Sequence, residues 1–344
     1  MSRSVATDQQ PARTAESSRH AAGPPTGART RRRGGPARRG PSGPTLFLFQ
    51  LPALLLFGLM VVVPILFAGY VSVFRWNGFG GAPPWSETSE LIGLDNFTRA
   101  LGDDVFQGDL WRMLILVALS LTVQLPLALA LAMLLHQKFP GRAVFRLLFF
   151  APYVISEVIT AVLFMMVLSP RYGVVNQVLD GLGMGGLTTT WLGNRSTVLF
   201  AVFVVITWKY FGFHMIIYLA GRQNIPRELT EAAITDGATG WQAFRHVTLP
   251  LLGPPIRVSA FLSVIGVMQL FDMVWVLTRG GPVHASETLA ITMYRHGFER
   301  FEVGYASAIS VLMFVIAMVF ALGYVRFVMR RDIEGAVTTV GGRR

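Results

Sequence analysis

The chain has 344 residues, of which 52% are hydrophobic and 14% are charged, and it carries a net charge of +11 without any cysteine. This composition is typical of membrane proteins, and the lack of cysteine excludes disulfides, thiolate metal sites and cysteine nucleophiles. The positive charge follows the apolar segments in a pattern that indicates membrane topology, so we do not expect nucleic-acid binding.

The first 44 residues are rich in Arg, Gly, Pro, Ser and Ala, and Val5 is their only aliphatic residue larger than alanine. Such a segment buries too little apolar surface to offset its ordering entropy, so we predict a disordered basic tail. Its arginine run at 31–39 has two interpretations. It either holds this end of the chain inside the cell, which we favour, or contacts anionic lipid.

Six apolar segments follow, each long enough to cross a hydrocarbon core of roughly 30 Å as a helix of about 20 residues. They are 46–73, 113–135, 147–168, 198–219, 258–277 and 306–328. The first is too long for the apolar part of a signal peptide, about 7–15 residues, so we predict an uncleaved helix with a kink at Pro64. Alternating strands of about 10 residues, typical of a barrel, are not found. We predict an all-α integral membrane domain of six helices at 45–331, followed by a cytoplasmic tail at 332–344.

The distribution of cations predicts the orientation of these helices. If the N-terminus is cytoplasmic, the inside segments hold 21 basic residues and the outside loops hold 8, with Lys209 inside a helix. The outside loops also carry ten carboxylates. We therefore expect both termini in the cytoplasm and the loop at 220–257 on the cytoplasmic side.

The segment 226–250 within this loop is polar enough to face water and patterned enough to fold. Pro226 suits a first helical turn, and Gly237 suits the left-handed conformation that ends a helix. A second short helix is expected to end at Pro250. Two interpretations of such a helical pair are a lipid-bound amphipathic surface and a docking site for a protein, and the carboxylates of Glu231 and Asp236 favour the second.

The spacing of this segment carries a resemblance to a known family. It has Glu231-Ala232-Ala233, three residues, Gly237, nine residues, and then Val247, Thr248, Leu249 and Pro250. This resembles the EAA loop of ABC-importer permeases, with Val247 in a position that is usually Ile. The stretches 152–161, 208–226 and 271–288 are similar to the carbohydrate-uptake branch, and to its maltose-F or glycerol-phosphate-A type of subunit.

The resemblance implies a type I ABC-importer permease in the bacterial cytoplasmic membrane that couples transport to separate ATPase subunits. It gives the coupling role to Glu231, Ala232, Ala233, Asp236, Gly237, Leu249 and Pro250. It also implies four kinds of partner: a second permease, two ABC ATPases, an extracytoplasmic solute-binding lipoprotein and a carbohydrate. The chain has no nucleotide-binding P-loop, so we expect no catalysis and no cofactor in it, with Mg-ATP bound by the ATPases.

Ionisable groups within bilayer helices are costly and usually face a cavity or a partner. Glu157, Lys209 and Asp272 are of this kind, and polar or aromatic residues that suit a sugar lie near them in the sequence. The candidate substrate-lining residues are Tyr153, Glu157, Lys209, Tyr210, Phe213, Gln269 and Asp272. Helical spacing predicts that Tyr153 and Glu157 share one face, and that Gln269 and Asp272 share another.

Several alternatives stay open for these residues and for the cargo. Lys209 and Asp272 form a structural ion pair in one alternative, and Asp272 contacts the second permease in another. Glu157 stands where a small residue is more usual in the family, which leaves the substrate open. The same fold importing glycerol 3-phosphate or a polyol is a rival function, and an ion-coupled secondary transporter is a less favoured one.

Overall fold

The computed structural model describes residues 43–329, and these are almost entirely helical. Gly43 and Pro44 already belong to the first helix, so that helix begins two residues inside the predicted basic tail. The rest of that tail and the tail at 332–344 lie outside the described residues. The chain divides into one unit up to Leu55 and a second unit from Leu56 onward.

The α-helices include long spans, shorter pieces of bent spans and surface helices. They are α1 Gly43–Phe57, α2 Val63–Val71, α3 Asp95–Gly102, α4 Asp104–Leu119, α5 Leu125–His136, α6 Arg142–Val154, α7 Glu157–Val167, α8 Val174–Gly181, α9 Val198–Gln223, α10 Arg227–Thr235, α11 Gly240–Ala243, α12 Leu249–Leu251, α13 Gly253–Met268, α14 Asp272–Thr278, α15 Leu289–Tyr294 and α16 Val303–Tyr324. Two short antiparallel strands, β1 Phe74–Arg75 and β2 Glu90–Leu91, pair Phe74 with Leu91.

Three of the helices contain a proline that is preceded by a π-helical turn. These turns are Gly58–Val62 before Pro64, Ser120–Gln124 before Pro126 and Phe244–Thr248 before Pro250. A proline inside a helix removes one backbone donor and its ring crowds the carbonyl four residues earlier, and a π turn widens the helix at that place. The helices therefore continue through these prolines, and the prediction that Pro250 ends its helix is wrong because the helix runs to Leu251.

Within residues 43–329, four continuous helices are long and apolar enough to span a membrane. They are Phe47–Val71, Asp104–His136, Val198–Gln223 and Val303–Met329. Two bent helix pairs, Arg142–Val154 with Glu157–Val167 and Gly240–Leu251 with Gly253–Met268, bring the number to six when each pair counts as one span.

The third and fifth predicted segments are not continuous helices. The third is bent by 102° between α6 and α7, and the fifth is interrupted at residues 269–271 between α13 and α14. Because hydropathy averages over a window of residues, it does not register a break that is two or three residues long. Both breaks matter for the site described below.

The main hydrophobic core of the second unit surrounds α9. Buried side chains of α9 pack there against α7, α13 and α14. On its other side α9 lies very close to α6, since a Cβ added to Gly212 would lie 1.8 Å from the carbonyl oxygen of Phe149. Only glycine fits at this contact, which fixes the distance between the two helices.

Candidate functional site

A cavity of about 410 Å³ lies beside the two helix breaks. Glu157 begins α7 and Asp272 begins α14, and the helix α7 packs against α14. The lining of the cavity is part polar and part aromatic or aliphatic. It consists of Gln124, Tyr153, Glu157, Ile206, Tyr210, Phe213, His214, Leu262, Ser263, Gly266, Val267, Gln269, Leu270, Phe271 and Asp272.

The first break, at Ile155 and Ser156, is held by side chains of α9. Ile155 and Ser156 have extended backbone, so the last carbonyl groups of α6 have no helical partner. The Lys209 ammonium donates to the carbonyl oxygen of Ile155, and lies 3.5 Å from that of Tyr153. A cation at the C-terminal end of a helix is also favoured by the helix dipole.

Two further contacts link α9 to the same break. The Tyr210 hydroxyl donates to the Glu157 carboxylate. The ring of Phe213 stacks on that of Tyr153 with centroids 4.6 Å apart. Consecutive turns of one helix therefore fix the positions of Tyr153 and Glu157 at the cavity wall.

The second break is also stabilised by a side chain that donates a hydrogen bond to a free backbone carbonyl. The Thr288 hydroxyl donates to the carbonyl oxygen of Leu270 at 2.9 Å, which satisfies a carbonyl that the interrupted helix leaves free. Gln269 is the first residue of the break and Asp272 the first residue after it, and both are exposed at the cavity. Their placement depends on the break and not on the continuous helical face that the sequence predicts.

Six of the seven predicted lining residues lie together at the cavity, and Lys209 does not. Its side chain is 3% exposed and is directed at the break between α6 and α7. No ion pair between Lys209 and Asp272 is found within residues 43–329. The proposed lining roles of the other six stay predictions.

Sequence reasoning left several lining residues out of the candidate set. Gln124 lies on an otherwise apolar helix, directly before the Leu-Pro pair at 125–126. His214 follows the predicted Phe213. Ser263 and Gly266 lie on α13, and nothing in their spacing marks them. A polar side chain within an apolar span was the available signal for Gln124 and His214.

The segment 226–250 forms the predicted pair of short helices. Pro226 is the N-cap residue that precedes α10, whereas the sequence predicts it within the first helical turn. The N–H of Ala238 donates to Ala233, and that of Gly237 donates to Ile234, in the pattern that ends helices at a left-handed residue. Gly237 has a φ of +91°, as predicted. Thr239 and Gln242 then form a reciprocal capping box that starts α11.

The surface of this helical pair is exposed and partly apolar. No residue of α10 is buried, so Glu231 and Ala232 face outward. Leu229, Ile234 and Trp241 are also exposed, the indole by 66%. Exposed apolar side chains beside carboxylates are typical of a surface that binds a protein.

A buried ionic cluster lies at residues that the sequence assigns to outside loops. Glu287, which is 1% exposed, accepts hydrogen bonds from Arg295 at 3.0 and 3.1 Å and pairs with His284. Asp109 is fully buried, pairs with Arg112 and accepts a 2.5 Å hydrogen bond from Thr292. Such charges need partners when they are buried, and here each carboxylate has them.

A third carboxylate of these loops, Glu302, lies before the last span. Burial alone would raise its pKa, but hydrogen bonds from His296 and Arg99 lower the pKa of Glu302 below its usual value. Arg99 also stacks over the ring of Tyr305, 4.0 Å from its centroid. These contacts tie α3 to the start of α16.

Residues 124–332 match the family described as "Binding-protein-dependent transport system inner membrane component". This match covers more than half of the chain. The chain belongs to this family.

Individual relatives agree with this assignment. The permease is 33% identical to a probable ABC transporter permease protein of Pyrococcus horikoshii, with 83% of this chain and 96% of the relative covered. It is 30% identical to the trehalose/maltose transport system permease of Thermococcus litoralis, with 81% and 92% covered. Among solved structures, a bacterial ABC transporter for alginate import matches with a TM-score of 0.72 and 26% identity, over 83% and 95% of the two chains.

The family places this permease in a membrane, as a subunit of an ABC importer with a helical importer-permease fold. The sequence-based predictions of family and fold class are therefore confirmed. A second alginate transporter structure, at 26% identity and a TM-score of 0.71, contains the pentasaccharide-bound periplasmic protein.

Proposed function

We propose that this permease translocates a carbohydrate, of oligosaccharide size, through the cavity between the two helix breaks. The stacked pair of Tyr153 and Phe213 carries this proposal, since it offers an aromatic surface to the apolar face of a sugar ring. Glu157, Gln269 and Asp272 supply hydrogen-bonding groups at the same cavity. Relatives named for trehalose/maltose and for starch degradation products support a sugar as the cargo.

The energy comes from partner subunits in this proposal. The exposed helices of 226–250 dock into one of two separate ABC ATPases that bind Mg-ATP, with Glu231 and its motif as the point of contact. A second permease completes the membrane domain, and an extracytoplasmic binding lipoprotein delivers the sugar. Both termini then lie in the cytoplasm, and no bond chemistry occurs in this chain.

The rival cargo, glycerol 3-phosphate, is less well supported. A phosphate is usually bound by Arg or Lys, and neither residue lines the cavity in the described part of the chain. A polyol remains compatible with the same groups, and the uptake assay below separates it from an oligosaccharide.

Uptake into right-side-out vesicles, with ATP supplied inside and the binding protein outside, tests the proposed energy source. The complete transporter is expected to accumulate oligosaccharide when ATP is present and to lose uptake when ATP is depleted, with an uncoupler having little effect. Uptake that persists without ATP but collapses with the uncoupler would show a secondary transporter and overturn the proposal. Accumulation of a polyol and of no saccharide would overturn the choice of cargo alone.

A further inference from the structure

The charge of the cavity lining affects which saccharides the cavity accepts. Glu157 and Asp272 both line the cavity, while none of its lining residues within 43–329 is a lysine or arginine. Lys209, on the same helix as Tyr210 and Phe213, is directed at the α6–α7 break. The wall that this chain contributes is therefore negative, and a cleft lined by one sign of charge in low-dielectric surroundings attracts the opposite sign.

The position of Glu157 strengthens this inference. In transporters with interrupted helices, the N-terminal ends of half-helices commonly point at anionic groups of the substrate. Here α7 starts at the cavity, and its first residue is Glu157. The carboxylate of Glu157 thus occupies the N-terminal end of α7, where the helix dipole would otherwise stabilise the anionic group of a sugar.

His214 adds a buried polar group to the cavity lining. His214 is 3% exposed and lines the cavity, and its Nδ1 atom has no hydrogen-bond partner within the described residues. A buried polar atom without a partner is costly, so a ligand that bonds to it would gain affinity. An uncharged hydroxyl serves this purpose as well as an acidic group does, and it is not repelled by the carboxylates.

We propose that this cavity accepts saccharides without anionic groups, and that Glu157 and Asp272 are the residues that reject acidic ones. The inference rests on the proposed function, because it takes the cavity to be the sugar path. The family leaves this choice open, since the matched alginate transporter is described as importing an acidic polysaccharide. Like charges in a cavity of low dielectric repel far more strongly than in water.

Because the chain has no cysteine, one engineered thiol can report the local potential in the assembled transporter. Gly266→Cys suits this purpose, since Gly266 lines the cavity and a Cβ there has no atom within 4 Å. The thiol is labelled with methanethiosulfonate reagents of equal size but opposite charge, and modification of this chain is followed by mass spectrometry. We expect the cationic reagent to react about tenfold faster than the anionic one relative to their rates with free thiol.

Charge-neutralising variants then assign the effect to the two residues. Glu157→Gln and Asp272→Asn are each expected to lower the rate ratio by about threefold. Gly181→Cys is the matched control, because Gly181 lies on α8 outside the cavity lining with equally open surroundings. Its ratio should not change with either variant. Equal rates at residue 266, a faster anionic reagent, or a ratio that neither variant lowers would overturn the inference.

A saccharide assay separates this inference from the proposed function. Vesicles with the complete transporter are given an equal mixture of neutral oligosaccharides and their C6-oxidised acidic forms. Complete absence of ATP-driven saccharide uptake would refute the proposed function. Uptake of both forms at equal rates by the wild type would refute only the charge selection, whereas uptake of the neutral forms alone would support it.

Discussion

Glu231→Lys is expected to abolish uptake and to release the ATPase subunits from the membrane. Glu231 lies on the exposed face of α10, beside the apolar side chains that are proposed to enter the ATPase. Reversing a charge within a docked contact replaces an attraction by a repulsion, which typically costs several kcal/mol. The measurements are ATP-driven uptake in vesicles and the amount of ATPase that copurifies with the permease.

Glu87→Lys is the matched control for this variant. Glu87 is also exposed, but it lies in the loop after α2 that is predicted to face the outside. The same charge change there should leave ATPase retention unchanged. Normal uptake by Glu231→Lys, or equal loss of ATPase in both variants, would refute the coupling role.

Lys209→Met is expected to weaken sugar transport while the ATPases stay attached. The change removes the ammonium that bonds to the carbonyl of Ile155 but keeps the length of the side chain. An unsatisfied buried carbonyl costs about 1–3 kcal/mol, and the break that positions Tyr153 and Glu157 is then less well fixed. We expect about 1.4 kcal/mol of this to reach sugar binding, which corresponds to about a tenfold rise in the sugar concentration needed for half-maximal uptake.

The chain has only two lysines, so Lys138→Met provides the matched control. Lys138 is exposed in the turn between α5 and α6 and should tolerate the change. Lys209→Arg keeps a cation and is expected to recover part of the affinity. If Lys209→Met altered only the amount of folded protein, with unchanged half-saturation, the residue would have no positioning role.

The helices of 226–250 were predictable because their signals are local. Gly237, Pro226 and the carboxylates each act within one helical turn, and the structure places the helix end at Gly237 as predicted. The family followed from the spacing of Glu231, Gly237 and Pro250. The end of the second helix at Pro250 was mispredicted because the preceding π turn accommodates the proline. Whether such a turn forms depends on the whole helix and not on the residues next to the proline.

The break between α6 and α7 was missed although part of its signal is local. Ser156 followed by Glu157 is a typical start of a helix, and Pro152 precedes it. The apolar residues on both sides concealed this signal in a hydropathy reading. What stabilises the break is Lys209, which is 54 residues from Ile155 in the sequence, so its partner was not predictable from spacing.

The seven candidate lining residues also differ in whether their positions follow from local signals or from contacts between distant residues. Six of them lie beside one cavity, as expected if polar groups in apolar spans avoid lipid, and their role in lining the substrate path stays a prediction. The direction of Lys209 depends on a tertiary contact, and so does the hydrogen bond from Thr292 to Asp109. The ion pairs of Asp109 with Arg112 and of Glu287 with His284 are only three residues apart in the sequence, but sequence reasoning assigned both carboxylates to loops and did not predict their burial.

The central claim is that the sugar passes through the cavity beside the two helix breaks. A cryo-electron microscopy structure of the complete transporter, trapped with its saccharide, tests this most directly. We expect sugar density against the stacked rings of Tyr153 and Phe213, within hydrogen-bond distance of Glu157 or Asp272. A sugar bound along another route, with this cavity empty or filled by side chains, would contradict it.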